Sequence, residues 1–266
     1  MLKLENISLT FGRGSINEKQ ALKHISLTLE DDDFVTVIGS NGAGKSTMLN
    51  VIAGVYESDE GKIWLDDMDM TFWPEYKRSR YVGRVFQNPL LGTAYAMTIE
   101  ENLAMALMKD KSHGLQPGVS RKESEFLKEQ LSRLHLGLED RMKHKVGLLS
   151  GGQRQALTML MATLVMPKLL LLDEHTAALD PGSARQILQL TDEIVRENRL
   201  CTLMVTHNMQ QALSYGNRTI MMHEGEIVLD IKGKEREDMT VEKMIDLFSQ
   251  KNFGQKIEND RMLLQD

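Results

Sequence analysis

The chain has 266 residues, with 32 basic and 38 acidic side chains and a formal charge of −6. One cysteine excludes an intramolecular disulfide framework, and the acidic balance argues against a broad nucleic-acid-binding face. The uncharged stretch Gln155–Pro167 falls short of the roughly 18–20 apolar residues of a membrane-spanning helix. Met1 opens onto an alternating pattern and not onto a basic leader, so the reading is a soluble chain of a reducing compartment.

The first third reads as strands. Leu2 and Leu4, then Ile7 and Leu9, alternate with polar neighbours, as do Ile25, Leu27 and Leu29. The turn Asp31-Asp32-Asp33 precedes Phe34–Ile38, a β-branched run suited to a buried strand. Ile63 and Leu65 flank Trp64, and a further strand fits Tyr81–Phe86. From about Thr98 to Pro167 the spacing is helical. A loop is expected at 113–120, then a helix opened by the capping box Ser120-Arg121-Lys122-Glu123, and another from Gly151 to about Met166. Met159, Met161 and Met166 read as core filler. The last third alternates strand and helix: Leu169–Leu172, Pro181–Asn198, Thr202–Val205. A hairpin turning at Glu224-Gly225 and a closing helix Val241–Phe248 follow. This alternation predicts an α/β class with a parallel sheet and a helical lobe inserted between two halves.

Three stretches carry chemistry. Gly39-Ser40-Asn41-Gly42-Ala43-Gly44-Lys45-Ser46, followed by Thr47, matches the P-loop pattern between a strand and a helix. Its glycines let successive N–H groups turn inward onto phosphate oxygens, and the helix start adds positive potential. Lys45 suits β- and γ-phosphates, and the Ser46 hydroxyl suits Mg²⁺. Leu149-Ser150-Gly151-Gly152-Gln153 offers a second helix start with uncovered N–H groups. Leu169–Leu172 ends in Asp173-Glu174, placing two acids at the carboxyl end of a parallel strand. Taken singly, a glycine-rich turn, a helix cap and an acidic turn would account for each.

Together with Gln87 in Val85-Phe86-Gln87-Asn88-Pro89, Asp180 in Ala178-Leu179-Asp180 and His207 in Val205-Thr206-His207, these stretches occur in one order. In that order and spacing the chain resembles the ATP-binding subunits of ABC transporters from Leu2 to about Phe248. The resemblance implies a P-loop NTPase (RecA-like) core with an N-terminal antiparallel β subdomain and an inserted α-helical lobe. Residues 1–248 would form the ATPase domain, with the lobe at about 90–165, and residues 249–266 a tail. It implies ATP and Mg²⁺ as cofactors, with two copies facing head to tail around ATP. Gly39, Ser40, Asn41, Gly42, Ala43, Gly44, Lys45, Ser46 and Thr47 would hold the phosphates, and Phe11 would stack on adenine. Ser150, Gly151, Gly152 and Gln153 of the second copy would meet the γ-phosphate. Ser46, Gln87 and Asp173 would serve the metal, Glu174 would be the catalytic base with Gln87 and His207 beside it, and Asp180 would cross the dimer interface. His175 stands where such chains usually have proline, which implies a less rigid loop.

The resemblance further implies separate transmembrane permease subunits, a peripheral place on the cytoplasmic face of the membrane, and no nucleic-acid partner. Exposed Leu90, Leu91 and Tyr95 would receive the permease. Tyr76-Lys77-Arg78, Gly83–Pro89, Met97–Ala104 and Asp173–Pro181 are similar to bacterial uptake ATPases for tryptophan, tyrosine or related solutes, which work with a solute-binding lipoprotein. An exporter of the lipoprotein or macrolide type, or a non-transport ATPase, stays open as an alternative.

Overall fold

The computed structural model describes residues 1–110 and 119–251. The expected loop at 113–120 lies mostly outside them, as does the expected tail beyond 251. The described residues form two compact units. One is Met1–Ser79 joined to the chain from Arg199 onward; the other is Arg80–Asn198.

The first unit opens with β1 (Leu2–Phe11), β2 (Lys19–Leu29) and β3 (Phe34–Gly39). The helix α1 (Lys45–Ala53), then β4 (Glu60–Leu65), β5 (Met68–Asp69) and α2 (Glu75–Arg78) follow. A four-stranded sheet runs β2-β1-β4-β5. Its buried residues in β1 change parity between Leu4 and Ile7, where the pairing with β2 shifts register. Asn6 there has φ 54°, a left-handed residue that lets an extra residue bulge out and turns the inward face from even to odd positions. Arg78 is buried, with its guanidinium donating to the carbonyls of Thr71, Trp73, Val51 and Ile52 at 2.8–2.9 Å. The last two belong to the final turn of α1, whose carbonyls have no partner within the helix.

The second unit holds β6 (Val82–Val85), α3 (Ile99–Leu107), α4 (Arg121–Ser132), α5 (Gly151–Thr163), β7 (Leu169–Asp173) and α6 (Pro181–Asn198). Each of α3, α4 and α5 starts with a complete capping box: Thr98 with Glu101, Ser120 with Glu123, and Ser150 with Gln153. Apolar residues at helical spacing meet in one core that includes Leu103, Leu127, Leu131, Leu157 and Ile187. Met159 is fully buried in α5, as expected. Met166 lies past the end of that helix and is exposed, so it fills no core. Strands β6 and β7 are parallel, with Val85 opposite Leu172.

The first unit resumes with β8 (Cys201–Val205), α7 (Met209–Ser214), β9 (Arg218–His223), β10 (Glu226–Lys232), α8 (Lys234–Glu237) and α9 (Val241–Lys251). The closing helix therefore runs three residues past its expected end at Phe248. Strand β3 lies parallel between β8 and β9. The β9–β10 hairpin turns on Glu224 and Gly225, both with positive φ, the geometry that matches strand twist in a two-residue turn. Among the described residues no helix is long and apolar enough to cross a membrane.

Candidate active site

In the first unit, the P-loop leaves β3 and enters α1. Gly44 has φ 100°, and a Cβ there would lie 2.7 Å from the Ala21 carbonyl oxygen. Gly39 has φ 150°, and a side chain there would collide with the Met222 carbonyl. Only glycine fits either place. Lys45 is 6% exposed, and its ammonium donates to the carbonyls of Gly39 at 2.7 Å and Ser40 at 3.1 Å, so its charge is held over the loop. Ser46 is exposed and Thr47 half-buried.

Beside Ser40, Asn41, Gly42 and Ala43 runs an open groove of about 380 Å³, also lined by Lys19, Lys23, His223 and Glu224. Sequence reading missed the two lysines, because nothing in β2's alternation marks them as neighbours of the loop. Phe11 ends β1 with its ring 37% exposed, met edge-on by Tyr56 at a centroid distance of 5.2 Å. The register pairing Val37 with Val205 leaves Gly39 and His207 equally far beyond their paired residues. His207 is exposed. Its loop is tied down on both sides: Thr206 N–H donates to the Val37 carbonyl at 3.0 Å, and Asn208 caps α7.

In the second unit, parallel register does the same work. With Val85 opposite Leu172, Gln87 and Glu174 each stand two residues further on. Gln87 Nε2 donates to Glu174 Oε2 at 3.4 Å, leaving the Gln87 carboxamide oxygen as its acceptor atom. Glu174 has φ 45°, an uncommon left-handed backbone for a residue with a side chain. Asp173 faces the Arg84 guanidinium at 3.7 Å, and that guanidinium also sits 4.5 Å from the Phe86 ring centroid. Arg84 is a site residue that sequence reading missed.

The loop after Glu174 departs from expectation. His175 is 2% exposed, and its Nε2 lies 3.1 Å from Thr191 Oγ1 on α6. Burial pushes the imidazole down to about 4, so the ring is neutral. The loop is anchored through a buried side chain, where proline would have acted through the backbone.

Further along, Asp180 Oδ1 accepts from the N–H groups of Gly182 and Ser183 at the start of α6. Hydrogen bonds from the Ser183 side chain and backbone hold the Asp180 carboxyl below the usual range. The Ser150–Gln153 stretch opens α5, with Ser150 accepting from Gln153 N–H at 3.2 Å. A Cβ on Gly151 would stand 3.2 Å from Leu179, and one on Gly152 2.9 Å from Ser183 Oγ. The second glycine stretch and the Leu179-Asp180 loop are thus brought together. Gln155, fully buried in α5, donates to the Phe86 carbonyl at 3.3 Å, linking that helix to the residue before Gln87. Its apolar-looking position hid it in the sequence.

Ser46, in the first unit, carries a hydroxyl oxygen, and Gln87 and Asp173, in the second, carry a carboxamide and a carboxylate oxygen, each a donor type that Mg²⁺ accepts. Among the described residues no group of three or more His, Cys, Asp or Glu forms a metal cage.

The ABC transporter family model matches residues 22–177, more than half of the chain. The chain belongs to the ABC transporter family. It is 47% identical over 248 residues to a tyrosine transport ATP-binding protein of Clostridioides difficile (strain R20291), covering 93% of this chain and 98% of that one. A methionine import ATP-binding protein of Streptococcus agalactiae (serotype Ia) is 33% identical, covering 90% and 68%. A solved dimeric ATP-binding cassette in a post-hydrolysis state, bound to ADP and Pi, superposes with a TM-score of 0.75 at 28% identity, covering 87% of this chain and 98% of that one. The protein is thus an ATP-binding, ATP-hydrolysing ABC subunit with the P-loop NTPase fold.

Proposed function

We propose that this ABC ATPase energises import of tyrosine or a closely related aromatic amino acid. The observation that carries the reading is the 47% identity that spans 98% of the tyrosine transport relative. The methionine import relative agrees with the direction of transport. The unit works as a homodimer on the cytoplasmic face of the membrane, bound to separate permease subunits and served by a solute-binding lipoprotein. Residues 1–248 act as the ATPase domain.

Catalysis then divides among this chain's own groups. The P-loop N–H groups and Lys45 hold the triphosphate, with Phe11 on the adenine. Ser46, Gln87 and Asp173 would hold Mg²⁺, which would supply charge neutralisation at the phosphates. Glu174 takes a proton from the attacking water, with Gln87 at 3.4 Å fixing its carboxylate. His207 contacts the γ-phosphate, and Ser150, Gly151, Gly152 and Gln153 of the second copy close the site. Asp180 caps α6 next to that stretch and reaches across the dimer.

Leu90, Leu91 and Tyr95 are 44%, 70% and 56% exposed, and they supply apolar surface for the permease. The test is uptake of labelled tyrosine by cells lacking this chain and complemented with it. Uptake restored by the parent and not by Glu174→Gln is expected. Unchanged tyrosine uptake in the deletion strain, with another amino acid affected, overturns the solute.

A further inference from the structure

We propose that His175 and Thr191 form a positioning relay that holds Glu174 in its working backbone geometry by tying it to helix α6. The proposal deepens the reading of Glu174 as the base and rests on it.

The geometry is directional. Thr191 Oγ1 donates its hydrogen to the Ile187 carbonyl at 2.7 Å, an i−4 bond within α6. A hydroxyl has one hydrogen, so the contact with His175 at 3.1 Å runs the other way: His175 Nε2–H donates and Thr191 Oγ1 accepts. This fixes the ring as the Nε2–H tautomer. Both partners are buried, His175 at 2% and Thr191 at 1% exposed, so neither exchanges this bond for water.

The residue this anchors is one step from Glu174, whose φ of 45° is costly for a non-glycine residue. On the same, C-terminal side the Ala177 N–H donates to the Glu174 carbonyl at 3.0 Å, while on the N-terminal side Glu174 follows directly on strand β7. A left-handed residue persists only where its surroundings over-determine it. Here strand β7 holds one side, and a turn and a buried imidazole together hold the other. Beside the contact from Gln87 to the carboxylate, the backbone that aims Glu174 is thus tied to a rigid helix through a side-chain hydrogen bond. His175 touches no reacting atom and acts through Glu174.

The test is steady-state ATPase kinetics on the full chain, with hydrogen exchange across residues 174–180. Thr191→Val, which keeps shape and removes the acceptor, is expected to lower kcat about 10–100-fold, the effect of a misplaced catalytic group, with KM for ATP held within about twofold. The same variant is expected to speed exchange in the loop. Thr191→Ser keeps the hydroxyl and is expected to hold both near the parent. His175→Ala is expected to match Thr191→Val, His175→Gln to recover most of kcat, and the double variant to be no worse than either single one. If His175→Ala fails to fold, the valine and serine pair still decides.

Equal kcat in Thr191→Val and Thr191→Ser overturns the relay, as does a loss that appears only in KM or in an additive double variant. Glu174→Gln measured alongside separates the two readings. Turnover surviving there overturns the base assignment, while the relay is judged by loop exchange in the 191 pair.

Discussion

The Arg84 guanidinium stands 3.7 Å from the Asp173 carboxylate, with the two side chains only 13% and 14% exposed. Parallel pairing of β6 with β7 sets one side chain beside the other. Asp173 is the acid assigned to the metal, so its charge is partly matched before any ion arrives. Arg84→Met is expected to cost about 1–3 kcal/mol in urea unfolding, between an exposed pair and a fully buried one. By freeing the Asp173 charge it is also expected to lower the Mg²⁺ concentration for half-maximal ATPase, whereas Asp173→Asn is expected to raise it. An unfolding midpoint equal to the parent's counts against the pair.

Glu174→Gln removes the base and keeps the shape. Turnover is expected to fall about 10²–10⁴-fold with ATP affinity retained. Lys45→Ala is expected to lose ATP binding itself. Fluorescent-nucleotide titration beside an ATPase assay distinguishes the two patterns, and full turnover in Glu174→Gln counts against its role.

His175 gives a pH signature. Its folded pKa, about 4, lies below the ordinary histidine value. Between those values the unfolded chain binds a proton that the folded chain does not, so stability is full above about pH 6.5 and falls as pH drops toward 4. The loss approaches about 3 kcal/mol at the lower end. His175→Gln is expected to flatten that part of the stability profile, measured as urea midpoints from pH 7 to pH 4.5. An unchanged slope counts against a buried neutral ring.

Arg78 satisfies four backbone carbonyls at once. Arg78→Met leaves them without that donor and is expected to cost about 2–4 kcal/mol. Arg78→Lys is expected to recover only part, because one ammonium cannot span the four carbonyls that a planar fork reaches. Urea unfolding of the two variants beside the parent measures this.

Local signals made much of the fold legible. Helix α6 begins and ends where its pattern does, at Pro181 and Asn198. The capping boxes, the Glu224-Gly225 turn and the P-loop's strand–helix setting each depend on residues close in sequence. What stayed hidden depends on register and burial. Arg84 in β6 looks like an ordinary polar strand residue until its parallel partner is known. The parity change at Asn6 is visible as a pattern, but its cause is a bulge that only pairing reveals. His175 signals a missing proline in the sequence, and its anchor Thr191 lies one helix away. The order of motifs marked the candidate site residues; how each is held had to come from the structure.

Arg78 has an electrostatic consequence for the nucleotide loop. Helix α1 has nine residues, about 13 Å from end to end. Its last carbonyls are the negative pole of the peptide dipoles, and an opposing field from that pole weakens the attraction at the other end. Placing one guanidinium on those carbonyls sets a full positive charge against a pole of roughly −0.5 elementary charge, so that end becomes net positive. The distance is comparable to the screening length of physiological salt, and the intervening medium is protein. A triphosphate arriving at Gly39–Thr47 therefore meets a helix that is positive at its mouth and no longer negative at its tail.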